Sequence, residues 1–483
     1  MATFKTPDLL TNNAPWMSEA ERSRIKNLEG LRQIYEGRHK EYFYRGNRTQ
    51  HIYKALGPNA ANVMYLTENI AGRASLKYAD LLCGEPLTIE PEDSDPKAKA
   101  AITRLSEQSS LATMHYEAAA TASWAGRAYW QVIVQGGVVK LDSITPENIH
   151  PRYDATGKNL IAAVVKYVVT VAGNKYVRVI EHTVGKIVHQ AYLLDGNAVK
   201  ARVDLAVVEA GIEEVQETKI DELTVIEVCN FSTGGVGATD YCGEVNSLID
   251  EVNNRRSQIS RILDKHGDPV AQALESLFDA QGNLKTGDVL AVDDMSKDAM
   301  RYVTWDAKLP DAAASLVNAR DSVYGELEMA PVLMGVGGGA TSAETWKKFK
   351  LQVNQTMARV KRKRLYMSPA VKRSIRVMML MDNAFGLGVG RYEVKAVSLT
   401  WSDGLPSDPE DDMRVIVGYR SAGLLSRKRA LMWIHDGDMN VVEEELQLLA
   451  DEEAASLPTG FADPASVIDE SQADPDAQTA PQG

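Results

Sequence analysis

A glycine-rich segment that leads into a basic helix is the part of the sequence best suited to bind an anion. The segment consists of Gly335, Val336, Gly337, Gly338 and Gly339, with Ala340, Thr341 and Ser342 after it. Such a loop can bind phosphate, because backbone N–H groups at a helix start point toward the anion. No Gly-Lys-Ser/Thr follows the glycines, so the lysine that a P-loop places on nucleotide phosphates is missing. We interpret the segment as a mobile loop that approaches a polyanion, and not as a nucleotide site.

The helix after this loop is strongly basic. Residues 341–344 (Thr-Ser-Ala-Glu) fit the S/T-x-x-E capping box, which predicts the start of a helix. Apolar residues at intervals of three and four between positions 346 and 360 predict one buried helical face. Between Ser342 and Arg376 there are eleven lysines and arginines against a single acid, Glu344.

These cations allow two interpretations. The lysines next to the loop, Lys347, Lys348 and Lys350, are candidates to face DNA together with the loop. Alternatively, the cations pair with acids of neighbouring elements or subunits, as happens on long helices of large assemblies. The second interpretation is favoured, most of all for residues 361–364.

Length and charge indicate a multidomain protein with an acidic end. The 483 residues exceed what one hydrophobic core usually serves, so we expect roughly two to four domains. The net charge is −13, but residues 441–483 hold eleven acids and no base, so the rest of the chain carries only −2. This charge distribution excludes a uniformly basic nucleic-acid binder. It is compatible with a protein that contacts DNA without binding its phosphates tightly.

Cysteine usage and hydropathy indicate an intracellular protein. Cys83, Cys229 and Cys242 are scattered and odd in number, so we expect buried free thiols in a reducing compartment. The N-terminus lacks the apolar stretch of a secretory signal, and no apolar run is long enough to cross a bilayer. We therefore expect no membrane as a partner.

Signatures of catalysis and of metal binding are missing from the sequence. The eight histidines are dispersed, with no HExxH motif and no Cys/His cluster, and neither G-x-S-x-G nor Gx4GK[ST] occurs. The sequence therefore predicts no catalytic residue, no metal, no cofactor and no enzyme activity.

The periodicity of apolar residues predicts an α+β fold. Helices are expected at about 18–36, 59–82, between 99 and 126, at 240–266, 310–328 and 344–382, the last one bending or breaking near Pro369. Antiparallel strands are expected at 129–134, 138–144, 162–171, 176–182, 187–193 and 223–229, with short strands in 270–305 and one at 392–401. Small helices at 409–421, 427–435 and 440–453 precede a tail, from Ser456 on, that is expected to be disordered.

Several short segments between about residues 20 and 455 stand in an informative order. They are 35–43 (YEGRHKEYF), 82–86 (LCGEP), 225–231 (VIEVCNF), 240–253, 305–309 (WDAKL), the loop–helix junction and 422–427 (AGLLSR). In this order they resemble the portal proteins of tailed bacteriophages, specifically the SPP1-type portal family. Cys83 departs mildly from the resemblance, because a bulkier apolar residue is expected there.

The resemblance implies a ring of about twelve subunits around a central channel at one capsid vertex. In such a subunit, residues 1–235 are the N-terminal part of the wing, 236–266 and 309–332 the stem helices, and 267–308 the clip. Residues 333–343 are then the tunnel loop, 344–403 the long kinked tunnel and wing helix with a wing strand, 404–455 the helical crown, and 456–483 the disordered acidic tail.

The resemblance also implies a role in DNA packaging and ejection, with the tunnel loop against double-stranded DNA. The implied partners are the terminase large subunit, later a head-completion adaptor protein, and the major capsid and scaffolding proteins. The implied location is the portal vertex of the virion, and the host cytoplasm during assembly. Two alternatives remain open on the sequence: a DNA-processing enzyme or motor subunit, and a capsid scaffold protein without a channel.

Overall fold

The computed structural model describes residues 6–43, 65–92, 95–233, 236–267, 271–273, 300–302, 309–336, 343–388, 390–402, 404–405, 409–435 and 439–456. The chain divides into two compact units, Met1–Leu405 and Pro406–Gly483. The first unit combines helices with antiparallel sheets, so the α+β expectation is confirmed at this level. Predictions for residues 457–483, including the disordered tail, fall outside the described residues.

The first unit opens with helices whose starts are marked by capping residues. They are α1 (Glu19–Tyr35), α2 (His39–Phe43), α3 (Ile70–Cys83), α4 (Pro96–Ser109) and α5 (Leu111–Ala125). The predicted capping box starts α1, where the Ser18 hydroxyl accepts from the Glu21 N–H and the Glu21 carboxylate accepts from the Ser18 N–H. The helix predicted at about 59–82 does not run unbroken, because α3 begins at Ile70, where Asn69 caps it by accepting from the Gly72 N–H; residues 59–64 lie outside the described residues.

The strands form antiparallel sheets. They are β1 (Thr88–Pro91), β2 (Arg127–Gln135), β3 (Val138–Ile144), β4 (Ile149–Tyr153), β5 (Leu160–Val171), β6 (Asn174–Thr183), β7 (Lys186–Asp195), β8 (Ala198–Val203), β9 (Val215–Glu217), β10 (Val225–Cys229), β11 (Ser232–Thr233), β12 (Val236–Gly237), β13 (Ala271–Ala273), β14 (Met300–Tyr302) and β15 (Val397–Thr400). The largest sheet has the order β4-β5-β6-β7-β8, with β9 paired to β7, and a three-stranded sheet has the order β10-β2-β3.

The predicted strands between residues 129 and 229 are confirmed, and the structure adds β4, β8 and β9 to them. The strand expected at 392–401 is shorter than predicted, because only Val397–Thr400 pairs, with β1. In the insert expected to be strand-rich, β13 and β14 pair with each other, so the described ends of the insert lie side by side.

Three long helices complete the first unit. They are α6 (Gly243–Gly267), α7 (Leu309–Glu326) and the 43-residue α8 (Ala343–Phe385). Helix α8 is continuous through Pro369, so of the bend or break expected there the break is wrong. One intrahelical bond, to the Leu365 carbonyl, is missing at this point because proline has no N–H. In the same turn the Ser368 hydroxyl donates to the neighbouring Arg364 carbonyl at 2.7 Å.

Helix α8 lies in the largest hydrophobic core of the first unit. Its fully buried side chains recur at helical spacing and include Val360, Val371, Ile375 and Met378. Buried faces of α3, α5 and the β2–β3 pair belong to the same core. Burial of each such large apolar side chain stabilises the fold by about 1.5–3 kcal/mol.

The second unit is helical in its described part. Its helices are α9 (Pro409–Ser421), α10 (Arg427–Ile434) and α11 (Met439–Ser456), close to the three predicted helices. One buried apolar residue in each helix forms its interior, namely Ile416, Ala430 and Val442.

The cysteines agree only in part with the prediction. All three are free thiols. Burial raises the pKa of Cys83 to about 12 and that of Cys229 to about 11, which makes both poor nucleophiles. Cys242 is exposed, so the prediction of a buried thiol is wrong there; it stands at the solvent side of the turn just before α6. No helix in the described ranges combines the length and the apolar character needed to span a membrane.

We predict that the free energy of unfolding decreases as the pH falls from about 6.5 toward 4. Burial lowers the pKa of His115 to about 4 and that of His182 to about 3. The unfolded state, with an ordinary histidine pKa near ~6.5, therefore binds more protons in this window, and each histidine costs about 1.4 kcal/mol per pH unit.

Urea unfolding at pH 7, 6, 5 and 4 measures this dependence. His115→Phe removes one of the buried titrating histidines, which also include His189, and should flatten the slope relative to the natural chain. A stability that is constant over this pH range would contradict the burial of neutral histidines.

Candidate loop site and the ionic cluster behind it

The structure describes the entrance to the glycine loop. Residues Pro331–Met334 form one 3-10 turn, and Gly335 closes it in the left-handed region at φ +75°. The N–H of Gly335 donates to the Val332 carbonyl, and the N–H of Val336 donates to the Pro331 carbonyl. Glycine suits this position because a side chain at such a φ is strained. The backbone is thereby turned sharply at the point where the loop begins.

Only part of the predicted site lies in the described residues. Val336 is partly exposed, and Lys348 and Lys350 are exposed on the first turns of α8. Gly337, Gly338, Gly339, Thr341 and Ser342 lie outside the described residues, as does the side chain of Lys347. The DNA-facing role of these residues therefore stays a prediction.

Farther along α8, basic residues enter a buried ionic cluster. The carboxylate of Asp240 accepts from the Arg359 guanidinium and from the Lys363 ammonium, each at 2.6 Å, and also from the Ser123 hydroxyl. Lys363 donates in addition to the Asn230 side-chain oxygen. Ser123, Asp240 and the α8 pair Arg359 and Lys363 come from three segments distant in sequence, so the cluster is a tertiary contact.

The electrostatics of the cluster keep its carboxylate charged. Burial by itself raises the pKa of Asp240, but Lys363 and Arg359 outweigh it and lower the pKa to about 2. Burial lowers the pKa of Arg359, yet Asp240 reverses that shift and the net pKa is raised. The cations also face aromatic rings, with Lys363 Nζ 4.6 Å from the centre of Tyr78. The Asp240 carboxylate is therefore ionised at neutral pH within a hydrogen-bonded network, although burial lowers the pKa of Lys363.

A second acid, Glu328, binds the same arginine. Its carboxylate accepts from Arg359 at 3.1 Å and also from Arg362, and its carbonyl accepts from the Thr356 hydroxyl at 2.9 Å. Glu328 follows the end of α7 at φ +51°, a left-handed conformation that usually favours glycine. The N–H groups of Glu328 and Met329 donate to the carbonyls of the last turn of α7, as in a Schellman motif. The side-chain contacts of Glu328 offset the strain of this conformation.

The cluster joins three parts of the chain at one arginine. Asp240 lies three residues before α6, and Glu328 lies two residues after α7. Arg359 of α8 pairs with both acids. The start of α6 and the end of α7 are therefore linked to α8, the helix that follows the glycine loop.

The favoured interpretation of the cations at 361–364 is confirmed for Arg362 and Lys363, which pair with acids of neighbouring elements. Arg364 donates to the carbonyls of Leu81 and Ser402 instead, and Lys361 is exposed. Asp240 and Glu328 were not identified from the sequence as the partners of these α8 cations. The sequence of α8 gives a local signal of such partners, because Thr356, Arg359 and Lys363 recur at helical spacing on a largely apolar face.

The chain matches one protein-family model, described as "Phage portal protein, SPP1 Gp6-like", over residues 16–458. No curated protein matches it. Solved structures with similar folds include chains of the neck of an empty GTA particle computed with C6 symmetry, the virion of a native gene transfer agent (GTA) particle, and the neck of a native GTA particle computed with C12 symmetry.

These structures are distant from the chain. The first has 13% identity and a TM-score of 0.40, with 80% of this chain and 92% of that chain covered. The second has 14% identity and a TM-score of 0.38 at the same coverage. The third has 13% identity and a TM-score of 0.39, with 80% and 98% covered. The family assignment rests on the family model.

We predict that Asp240→Asn strongly destabilises the protein. The substitution leaves Arg359 and Lys363 buried without their common carboxylate, and breaking a buried ion pair on one side costs about 3–5 kcal/mol. Urea unfolding at pH 7 measures the loss.

Glu222→Gln is the matched control. Glu222 pairs with Arg376, whose side chain is half exposed, and such surface pairs contribute only about 0–1 kcal/mol. If Asp240→Asn costs no more than Glu222→Gln, the buried cluster does not stabilise the fold as described.

Proposed function

Because the chain belongs to the family of phage portal proteins, SPP1 Gp6-like, we propose that it forms a closed ring whose channel passes double-stranded DNA. Portal proteins are structural, non-enzymatic components of the capsid, so the prediction of no enzyme activity is confirmed by the family. The alternative of a DNA-processing enzyme or motor subunit is wrong for the same reason. A capsid scaffold protein without a channel is likewise disfavoured.

Exposed apolar side chains support assembly with other copies of the chain. On α8, Leu351 is 77% exposed and Leu365 is 72% exposed. The two leucines are 14 residues apart, close to four helical turns, so they share one side of the helix. In the second unit Trp433 and Leu424 are also exposed. Large exposed apolar residues mark interaction surfaces, and a head-to-tail interface that closes gives a cyclic ring.

The arrangement of helices supports the assignment of a stem and a clip. Helices α6 and α7 lie against each other, as expected of stem helices at 236–266 and 309–332. The pair β13–β14 joins the two ends of the insert between them, which suits a projecting clip at 267–308. We assign 1–235 and 344–403 to the wing, 333–343 to the tunnel loop and 404–455 to the crown.

The distribution of cations supports a channel that does not bind DNA tightly. A conduit must let DNA slide, and a continuous basic lining would bind phosphates too tightly. In α8, Arg359 and Lys363 are buried on Asp240, and Arg362 pairs with Glu328. Helix α8 is thus less available to phosphates than its composition suggests. The glycine loop offers backbone N–H groups to DNA at modest affinity.

We further assign the partners and place of a portal ring. The clip docks the terminase large subunit during packaging and later a head-completion adaptor. The ring contacts major capsid and scaffolding proteins and occupies one vertex of the virion after assembly in the host cytoplasm. Family membership is the observation that supports this assignment.

We predict a ring of about twelve chains for the natural protein. Native mass spectrometry should give about twelve times the 52.9 kDa chain mass, and negative-stain images should show a central hole. Leu365→Asp should shift the protein toward small species, because it places a charge in an apolar contact.

Val184→Asp is the control for this substitution. Val184 is also more than half exposed but lies in the turn between β6 and β7, far in sequence from α8. A natural protein that stays monomeric at high concentration would contradict the proposed ring.

We predict that Gly337→Pro or Gly338→Pro spares ring assembly but impairs DNA packaging. Proline fixes the backbone and removes an N–H that the loop offers to DNA. Packaging in an in vitro reaction with purified terminase measures the effect, with Gly418→Ala in a helix of the second unit as a control. Normal packaging by both proline variants would count against the role of the loop.

A further inference from the structure

A half-open cavity of about 620 Å³ lies in the first unit, and Thr239, the neighbour of Asp240 in the chain, forms part of its wall. The other walls come from the N-terminal segment at Leu9 and Leu10, from α1, and from strands β4 and β5. The volume falls within the ~300–1,000 Å³ typical of sites for small ligands.

The face of α1 that turns toward the sheet lines this cavity. Ala20, Arg24, Leu28 and Leu31 follow one another at helical spacing and all contribute to the wall. Leu28 and Leu31 are buried and form an apolar wall of the cavity. Arg24 lies one helical turn before Leu28. Val164 of β5 adds to the apolar surface from the opposite side.

Arg24 has hydrogen-bonding capacity to spare. Its guanidinium donates to the carbonyls of Pro146 and Ile149, the former at 3.0 Å. A guanidinium carries five N–H donors, so three are left over after these two bonds. Within the described residues no carboxylate oxygen lies within 4.0 Å of Arg24. Burial lowers the pKa of Arg24, which shows that its charge is only partly hydrated.

Two neighbouring acids, Glu21 and Glu147, favour the charge of Arg24 from a distance but form no ion pair with it. Glu21, the nearest acid on the cavity wall, accepts from Lys166 at 2.9 Å and also from the Ser18 N–H in the capping box. His150, whose pKa is lowered by burial, contacts the same carboxylate at 3.0 Å. Arg127 on the cavity wall is balanced by Glu227, outside it. The lining is therefore left with a net positive charge at Arg24.

We propose that this cavity binds a small organic anion with an apolar body, such as a medium-chain carboxylate. The carboxylate lies on the spare donors of Arg24, in the bidentate geometry that guanidinium groups favour. The apolar chain lies against Leu9, Leu28 and Leu31. The inference concerns a single subunit and stands apart from the proposed ring.

Calorimetric titration of the purified full-length protein with sodium octanoate tests this site, with 1-octanol as the uncharged probe of equal length. We expect octanoate to bind with one site per chain and octanol to bind at least about tenfold more weakly. Arg24→Gln should weaken octanoate binding by about tenfold or more. Arg22→Gln, on the exposed side of the same helix, should leave binding within about twofold.

Ala20→Phe provides an independent test that keeps the charge. Ala20 is an exposed wall residue, so a phenyl group there obstructs the cavity without removing a buried contact. We expect it to abolish octanoate binding and to preserve the melting temperature. The proposal is overturned if the natural protein binds no octanoate, if octanol binds equally well, or if Arg22→Gln weakens binding as much as Arg24→Gln.

Discussion

The first unit depends on one buried carboxylate, that of Asp240. Removing a carboxylate from water is costly unless cations and hydrogen-bond donors replace the water. Arg359, Lys363 and the Ser123 hydroxyl supply them, and Arg359 extends the network to Glu328. Because these acids flank α6 and α7, the interaction that satisfies a buried charge also fixes both helices to α8. The segments before and after the glycine loop are thereby linked through Glu328 and Arg359.

This frame suits a protein that guides a polyanion without reacting with it. Membership of the portal family identifies a structural capsid component. On α8, Arg359, Arg362 and Lys363 pair with acids of the same subunit. The helix thus has a buried, largely apolar face that includes the ion pairs of Asp240, and we propose that its exposed leucines contact other copies of the chain.

Local signals in the sequence predicted most of the elements but few of their partners. The Ser18 box and the alternating residues of β5 and β6 act over a few positions, so their structures were predicted. Strand β4 was missed because its sequence, Ile149–Tyr153, includes a proline and two polar residues. Asp240 and Arg359 are 119 residues apart, and a contact at that separation leaves no periodic trace. The part of the loop that carries the predicted function lies outside the described residues.

A cryo-electron microscopy reconstruction of the assembled protein would show whether it forms a channel. We expect a closed ring in which Gly337, Gly338 and Gly339 line the narrowest part of a central channel. We also expect Arg359 to contact Asp240 and Glu328 within each subunit. A ring with the glycine loops on its outer surface, or an assembly without a channel, would refute the proposed function.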